Sequence, residues 1–384
     1  MKIALVTNIL TPYRIFFYEK LYNYLLSENI EFKVFVMAET ESNRNWYYHQ
    51  YKKSFTVLMD QINLGKKDLF INRFIKKTLQ SFSPDLVIAA GSYNMPTVLR
   101  LLTLKKTLNF KLLFWSESNL VKRENLKGIK KTIREMVRFV TYKNFDGFWY
   151  SGELSKDFIE KYTTKGKEMY FLPNLVDNSL YESVDQIKMK SFDEIITFYH
   201  LDISKRLFIC PARLSEQKGI IEFLSLFINC RNAENASILI AGDGELNEKI
   251  EEIIKQNKHL DIRLLGFKSQ DEMLKLYSIA DFFLLPSVDD PNPLTCIEAL
   301  WCGLPLLISD QVGNYPEVLV PGKNGYLFSY KDPENTIRQI EKAIDSNLDW
   351  INSAKDTSRM VAKNLYDPER AIAKCVKEMI NSFN

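Results

Sequence analysis

No stretch of the 384-residue chain approaches the roughly 18 uncharged apolar residues of a membrane-spanning helix, so any membrane contact is expected at a bilayer surface. Cysteine is sparse and lopsided: all five (Cys210, Cys230, Cys296, Cys302 and Cys375) lie in the second half, with no CxxC pair. This argues against a disulfide framework and fits reduced cytosolic thiols. With 14 glycines and 13 prolines the chain is neither fibrous nor low-complexity, and it has no internal repeat. Net charge is also small, since 51 Lys plus Arg against 48 Asp plus Glu leave +3, which argues against a dedicated nucleic-acid binder. The opening MKIALVTNILTPYR has no small-residue cleavage site and is interrupted by Pro12 and Arg14, so it reads as a buried strand rather than a signal peptide.

What is present is ordinary globular material, 46% apolar and 26% charged. Single cores stop growing near about 250 to 300 residues, so two domains are expected. The near-neutral total hides a split. Residues 1–180 hold 28 Lys plus Arg and 17 Asp plus Glu, a net of +11, which leaves −8 for the remainder. Such asymmetry points to an anionic surface or ligand for one half.

Short apolar runs alternate with helical patterns throughout. Lys2–Thr7, Glu31–Met37, Asp85–Ala90, Lys111–Trp115 and Gly147–Tyr150 read as strands buried on both faces. The second half repeats the plan with RLFICPA, SILIAG, IRLLG, DFFLLPS and LPLLIS, each followed or preceded by a helical pattern. Two doubly wound α/β units in tandem follow, with ligands expected at the carboxyl ends of the strands and in the cleft between the units. The predicted domains are 1–185 and 186–365, joined through polar residues near 178–204. A last helix, 366–384, is placed to pack back on the first domain.

Three segments carry chemistry. FICPARLSEQKG sets Arg213 and Lys218 around a strand-to-helix turn, a receptor for a diphosphate or two solvated cations. ILIAGDGE ends a strand at Gly242, where a glycine admits either a phosphate or a tight turn. It is not a GxGxxG fingerprint, which counts against a nicotinamide dehydrogenase. In PSVDDPNPLTCIEALWCG, Asp289 and Asp290 precede a helix whose Glu298 lies eight residues after Asp290, inside an apolar run. A carboxylate there needs a hydrogen-bonding partner, such as a pair of ligand hydroxyls, or an exposed helix face.

With these segments in place the chain resembles a retaining glycosyltransferase of the large GT-B family 4. The resemblance rests on the VTNILTPYR opening, Pro173, Asn174, Val176 and Asp177, ARLSEQKG, AGDGE, LLGF, and the run from PS to GKNG, in order. It implies two Rossmann-like domains facing a cleft, the first binding an acceptor and the second a nucleotide sugar. It implies that Arg213 and Lys218 grip the donor diphosphate and that Glu298 holds the ribose hydroxyls. Asp290 stands where a Glu contacts the donor sugar. Gly242 belongs to the donor loop, and Phe267 and Lys268 lie along the nucleobase. Leu294 and Thr295 put helix N–H groups beside the phosphates. No cofactor or metal is implied, and Asp289-Asp290 is not a DxD metal site on this basis.

The chain departs from the family pattern in several places. Asp replaces the first Glu, and Pro291-Asn292-Pro293 replaces Gly-Phe-Gly, removing two backbone donors. Thr11, Tyr13 and Arg14 replace a glycine-rich loop and are candidates for the acceptor side. Glu117 in WSES takes the place of a histidine and is an orienter, an acceptor base or a helix cap. Lys122–Lys143 is a cationic amphipathic pattern in which Leu126, Ile129, Ile133, Met136, Val137 and Val140 recur at three-and-four spacing. It either packs on its own sheet with a solvated outer face or docks on anionic lipid through Lys130, Lys131 and Arg134. The expectation is a retaining, metal-independent transferase of bacterial surface-polysaccharide or lipopolysaccharide synthesis with a polyprenyl-linked acceptor. It would be cytoplasmic and peripheral on the inner membrane face. The alternatives are a non-hydrolysing GT-B epimerase or a non-catalytic sugar-nucleotide scaffold.

Overall fold

In the computed structural model, which describes residues 1–42, 46–63, 68–120 and 128–383, the apolar runs of the first half become central strands. The strands there are β1 (Lys2–Thr7), β2 (Glu31–Val36), β3 (Thr56–Leu58), β4 (Ile62–Asn63), β5 (Phe70–Ile71), β6 (Leu86–Ala90), β7 (Lys111–Ser116), β8 (Gly147–Tyr150) and β9 (Glu168–Phe171). Seven form a parallel sheet in the order β3-β2-β1-β6-β7-β8-β9, and β4 and β5 make a small antiparallel pair. One face of the sheet sends Ala4, Val6, Val87, Ala89, Leu112 and Phe114 into a core closed by helical residues such as Leu79, Val98 and Phe158. The first crossover helix, Pro12–Ser27, starts with Thr11 as its cap. The Thr11 hydroxyl accepts from the Arg14 N–H at 3.4 Å, and proline occupies the first turn.

Six more strands form the second sheet: β10 (Arg206–Pro211), β11 (Ala236–Ala241), β12 (Asp261–Gly266), β13 (Phe282–Leu285), β14 (Leu306–Ser309) and β15 (Gly325–Phe328). All pairs are parallel, in the order β12-β11-β10-β13-β14-β15. Winding therefore reverses between β10 and β13. Loops leaving these two strands run to opposite sides and leave a crevice at their carboxyl ends, the usual ligand position of such sheets.

The chain divides into two units between Leu175 and Val176, not at the expected 185. The segment expected to be a polar connection is largely helical. Asn178–Tyr181 packs on the Leu294–Trp301 helix and Val184–Phe198 on Gln270–Ile279, so both belong to the second unit, which runs to Asp367. The helix Pro368–Phe383 belongs to the first unit, packing on Pro12–Ser27 and β9. Lys20 pairs with Glu369 at 3.4 Å, and the Tyr170 and Ser382 hydroxyls are hydrogen-bonded.

One backbone position in the second unit admits no side chain. Gly219 has φ +63°, and a Cβ there would lie 2.1 Å from the carbonyl oxygen of Pro286, at the exit of β13. Gly219→Ala is expected to lower the stability of the second unit by about 2 kcal/mol or more. A fall in the urea midpoint relative to wild type checks this, and an unchanged midpoint contradicts the close approach.

Candidate active site

At the crevice of the second sheet, Lys218 leaves β10 through a single 3-10 turn and Asp290 follows β13. Seventy-two residues apart in sequence, they meet in an ion pair, Nζ to Oδ2 at 2.5 Å. The loops are tied together around the pair. The Gln217 carbonyl accepts the N–H groups of Val288 and Asp289, and Tyr330 donates to the carbonyls of Gly219 (3.1 Å) and Pro286 (2.6 Å). Asp290 is anchored from the other side as well, where its carbonyl accepts the Gly313 N–H at 2.7 Å.

Four residues past Asp290 begins the Leu294–Trp301 helix, whose cap position is Pro293 and whose first turn has no side-chain cap. Its leading N–H groups, those of Leu294 and Thr295, have no partner within the helix backbone and receive no side-chain cap from Pro293. Glu298 sits on its second turn, partly buried. Tyr277 donates to Glu298 Oε2 at 3.0 Å, and Tyr181 supplies a second phenol. Burial pushes the Glu298 carboxyl above its ordinary value, against the opposing pull of these two donors. Both phenols are raised in turn, first by burial and then by the Glu298 charge, so they stay protonated as donors. Neither tyrosine was found from the sequence, because each lies in an unremarkable helical pattern and only the fold brings them to Glu298.

The remaining donor-side candidates are spread along the same sheet edge. Arg213 is exposed, with Glu245 as its ionic neighbour at 3.8 Å, so it and Lys218 attend different carboxylates. Gly242 has a structural explanation, since a Cβ there would meet the Ala212 carbonyl oxygen at 1.9 Å, and its N–H donates to Gly266 at 2.9 Å. Phe267 follows β12 and is 80% exposed, while Lys268 pairs with Glu272 at 3.5 Å and lies 5.8 Å from the Tyr199 ring.

In the first unit, Arg14 and Glu117 come together across 103 residues at 3.2 Å, and the guanidinium lies 4.8 Å from the Trp115 ring. Burial works against the Arg14 charge, yet Glu117 and neighbouring tyrosines, Tyr13 among them, hold its pKa well above the ordinary value. Glu117 is thus an ionic partner of Arg14. Thr11 is committed as a helix cap. On the Gly128–Lys143 helix, Lys130 and Lys131 are exposed, whereas Arg134 is partly buried, one turn before the buried Arg138. Arg134 therefore does not share the outward position expected for it. Lys122, Arg123, Leu126 and Lys127 lie outside the described residues.

Residues 191–363 match the family of Glycosyl transferases group 1. The chain carries a glycosyl transferases group 1 domain. An uncharacterized glycosyltransferase of Methanocaldococcus jannaschii is 29% identical over 258 residues, 65% of this chain and 61% of that protein. The chain spans about half the length of the curated relatives it matches. Two solved structures share the whole fold, each covering 100% of both chains. They are HepE of Anabaena in complex with UDP and glucose (TM-score 0.70, 14% identity) and the lipopolysaccharide outer core galactosyltransferase WaaB (TM-score 0.75, 16% identity). The fold is GT-B, with two Rossmann-like parallel sheets.

In the group 1 domain, Lys218, Asp290, Glu298 and the helix terminus all lie on the two connections that leave β10 and β13, the strands flanking the winding reversal. Because the folded Glu298 pKa is raised above its ordinary 4.5, the folded state holds the proton more tightly. Its contribution is therefore least unfavourable below that value and worsens as pH rises towards the folded pKa. The stability of Glu298→Gln relative to wild type should increase as pH rises above about 4.5, then level off. Urea unfolding across pH measures the difference, and a pH-independent difference contradicts the burial of this carboxyl.

Proposed function

We propose that the chain is a retaining glycosyltransferase that moves a sugar from a nucleotide-diphosphate donor to a glycan acceptor carried on a polyprenyl-type lipid, without a metal. It would work in bacterial surface-polysaccharide assembly, peripherally at the inner face of the cytoplasmic membrane. The observation that carries this is the Lys218–Asp290 pair at the crevice of the second sheet, next to an uncapped helix terminus. The names of the relatives, transferases and a lipopolysaccharide galactosyltransferase, support the same class.

The departing group is a diphosphate that gathers negative charge as the C1–O bond lengthens. Lys218, Arg213 and the N–H groups at Leu294 and Thr295 stabilise that charge, supplying by fixed cation and dipole what a metal supplies elsewhere. Asp290, held by Lys218, faces the sugar. Glu298, steadied by Tyr277 and Tyr181, accepts the ribose hydroxyls, and Phe267 offers a flat apolar face to the base. The acceptor hydroxyl forms the new C1–O bond on the face the diphosphate leaves, passing its proton to the departing phosphate oxygen. The first unit takes the acceptor, with Arg14 and Glu117 as its polar end. A second reading is favoured by the engagement of Asp290 and Glu117 with their own cations: a sugar-nucleotide binder without turnover.

Incubation with a panel of UDP- and GDP-sugars, with and without lipid-linked glycan, separates the two. Acceptor-dependent release of nucleotide diphosphate is expected. Lys218→Ala should lower turnover by about 10²-fold, and Glu298→Ala should weaken donor binding by about tenfold, roughly 1.4 kcal/mol. Tight donor binding with no release under any acceptor favours the binder, and interconversion of nucleotide sugars favours an epimerase. Unchanged donor affinity in Glu298→Ala removes that residue from the site.

A further inference from the structure

The helix Gly128–Lys143 is mounted with its apolar side outward. Ile129, Ile133, Met136 and Val140, three and four residues apart, form one stripe and are 78%, 51%, 61% and 55% exposed, with Val137 and Phe139 exposed at its margins. The buried residues are Arg138, Thr141 and Tyr142. A surface helix normally turns such a stripe to the core. Here polar and aromatic contacts fix the opposite orientation. The Arg138 guanidinium lies 5.3, 5.0 and 4.8 Å from the rings of Tyr93, Phe158 and Tyr162, donates to the Tyr162 hydroxyl at 3.0 Å and pairs with Glu135 at 3.5 Å. Tyr162 in turn donates to Glu135 at 2.8 Å, and Tyr142 stacks on Phe148 at 5.5 Å. Turning the stripe inward would break all of these buried contacts.

We infer that this stripe is a membrane-seating surface, which enters the headgroup region of an anionic bilayer while Lys130 and Lys143 engage lipid phosphates. The charge pattern selects this occupant. Lys130 and Lys143 are exposed and flank the stripe on its two sides, whereas Lys131 lies on the opposite side of the helix, and residues 1–180 carry a net charge of +11. An apolar face bordered by lysines matches the two components of an interfacial helix, burial of about 5–10 Å and attraction to anionic lipid. A second copy of the chain fits poorly. The one acidic residue of this helix, Glu135, is spent on Arg138 and Tyr162, so a symmetric pairing sets lysines against lysines. The proposed lipid-linked acceptor explains why the enzyme would dock, and the inference rests on that reading only for this purpose.

The experiment uses the full chain and measures flotation with vesicles of equal parts phosphatidylglycerol and phosphatidylcholine, and with phosphatidylcholine alone. Wild type should float with the mixed vesicles. Ile133→Ser/Met136→Ser/Val140→Ser should lower partition by at least about tenfold. Lys130→Glu/Lys143→Glu should weaken binding to mixed vesicles only, as should raised salt. Tryptophan placed by Met136→Trp should shift its emission to the blue on vesicle addition. UDP binding without vesicles reports separately on the donor site, so loss of UDP binding with retained flotation sinks the proposed donor chemistry and leaves the docking surface standing. The inference is overturned if wild type does not float, if the triple serine variant floats as wild type does, or if the stripe instead mediates self-association that the triple variant abolishes.

Discussion

The turn after β10 can bring Lys218 against Asp290 only because Gly219 has no side chain. Its left-handed backbone lets the chain pass within van der Waals contact of the Pro286 carbonyl, and the Tyr330 hydroxyl then bridges the two strands' exits. Everything chemically interesting in the second unit hangs on that seam. A parallel sheet leaves its β10 and β13 loops diverging at the winding reversal. The glycine draws them back together at one point, and the remaining crevice is lined by the ion pair and an uncapped helix end.

Each unit places a cation from the connection after its first strand against a carboxylate that follows a later strand: Arg14, in the first turn of the Pro12–Ser27 helix, with Glu117, and Lys218 with Asp290. Both pairs are partly buried, so removing one partner would leave a charge poorly solvated. Local geometry of this kind outweighs the overall charge of the segment around it. The −8 carried by residues 181–384 would not by itself prevent an anion from binding beside Lys218 and the helix terminus, because Coulomb attraction at a few ångströms exceeds that of screened charges farther away.

The central strands were legible because burial on both faces demands continuous apolar runs, as at Leu86–Ala90 and Phe282–Leu285. At the edges of the two parallel sheets β12 was legible from its IRLLG run, but β3, β9 and β15 were not, since an edge strand is paired on one side only and can mix polar with apolar residues, as in Glu168–Phe171. The helices over 178–198 were missed for a related reason: their exposed faces are polar enough to read as a connection. Lys218, Asp290 and Glu298 were found by motif, but the Lys218–Asp290 contact and the two phenols on Glu298 depend on chain segments far apart in sequence. Gly242 shows the converse. A residue whose type suited a phosphate has its type explained by the neighbouring backbone at Ala212.

Periodicity measures how amphipathic a helix is, and it is silent on which side faces in. For Gly128–Lys143 the hydrophobic effect alone would turn Ile129, Ile133, Met136 and Val140 towards the sheet. The opposite outcome requires a polar face that gains more from the interior than the apolar face would. Arg138 provides it, with three aromatic rings around its guanidinium and Glu135 to balance its charge, while Tyr142 fills the space a leucine would otherwise take. A buried arginine is costly unless it is paired, and an exposed aliphatic stripe is costly unless something apolar covers it. The first cost is met within the unit itself. The second is relieved where a lipid surface takes the place of water, which is also where a lipid-borne acceptor would be found.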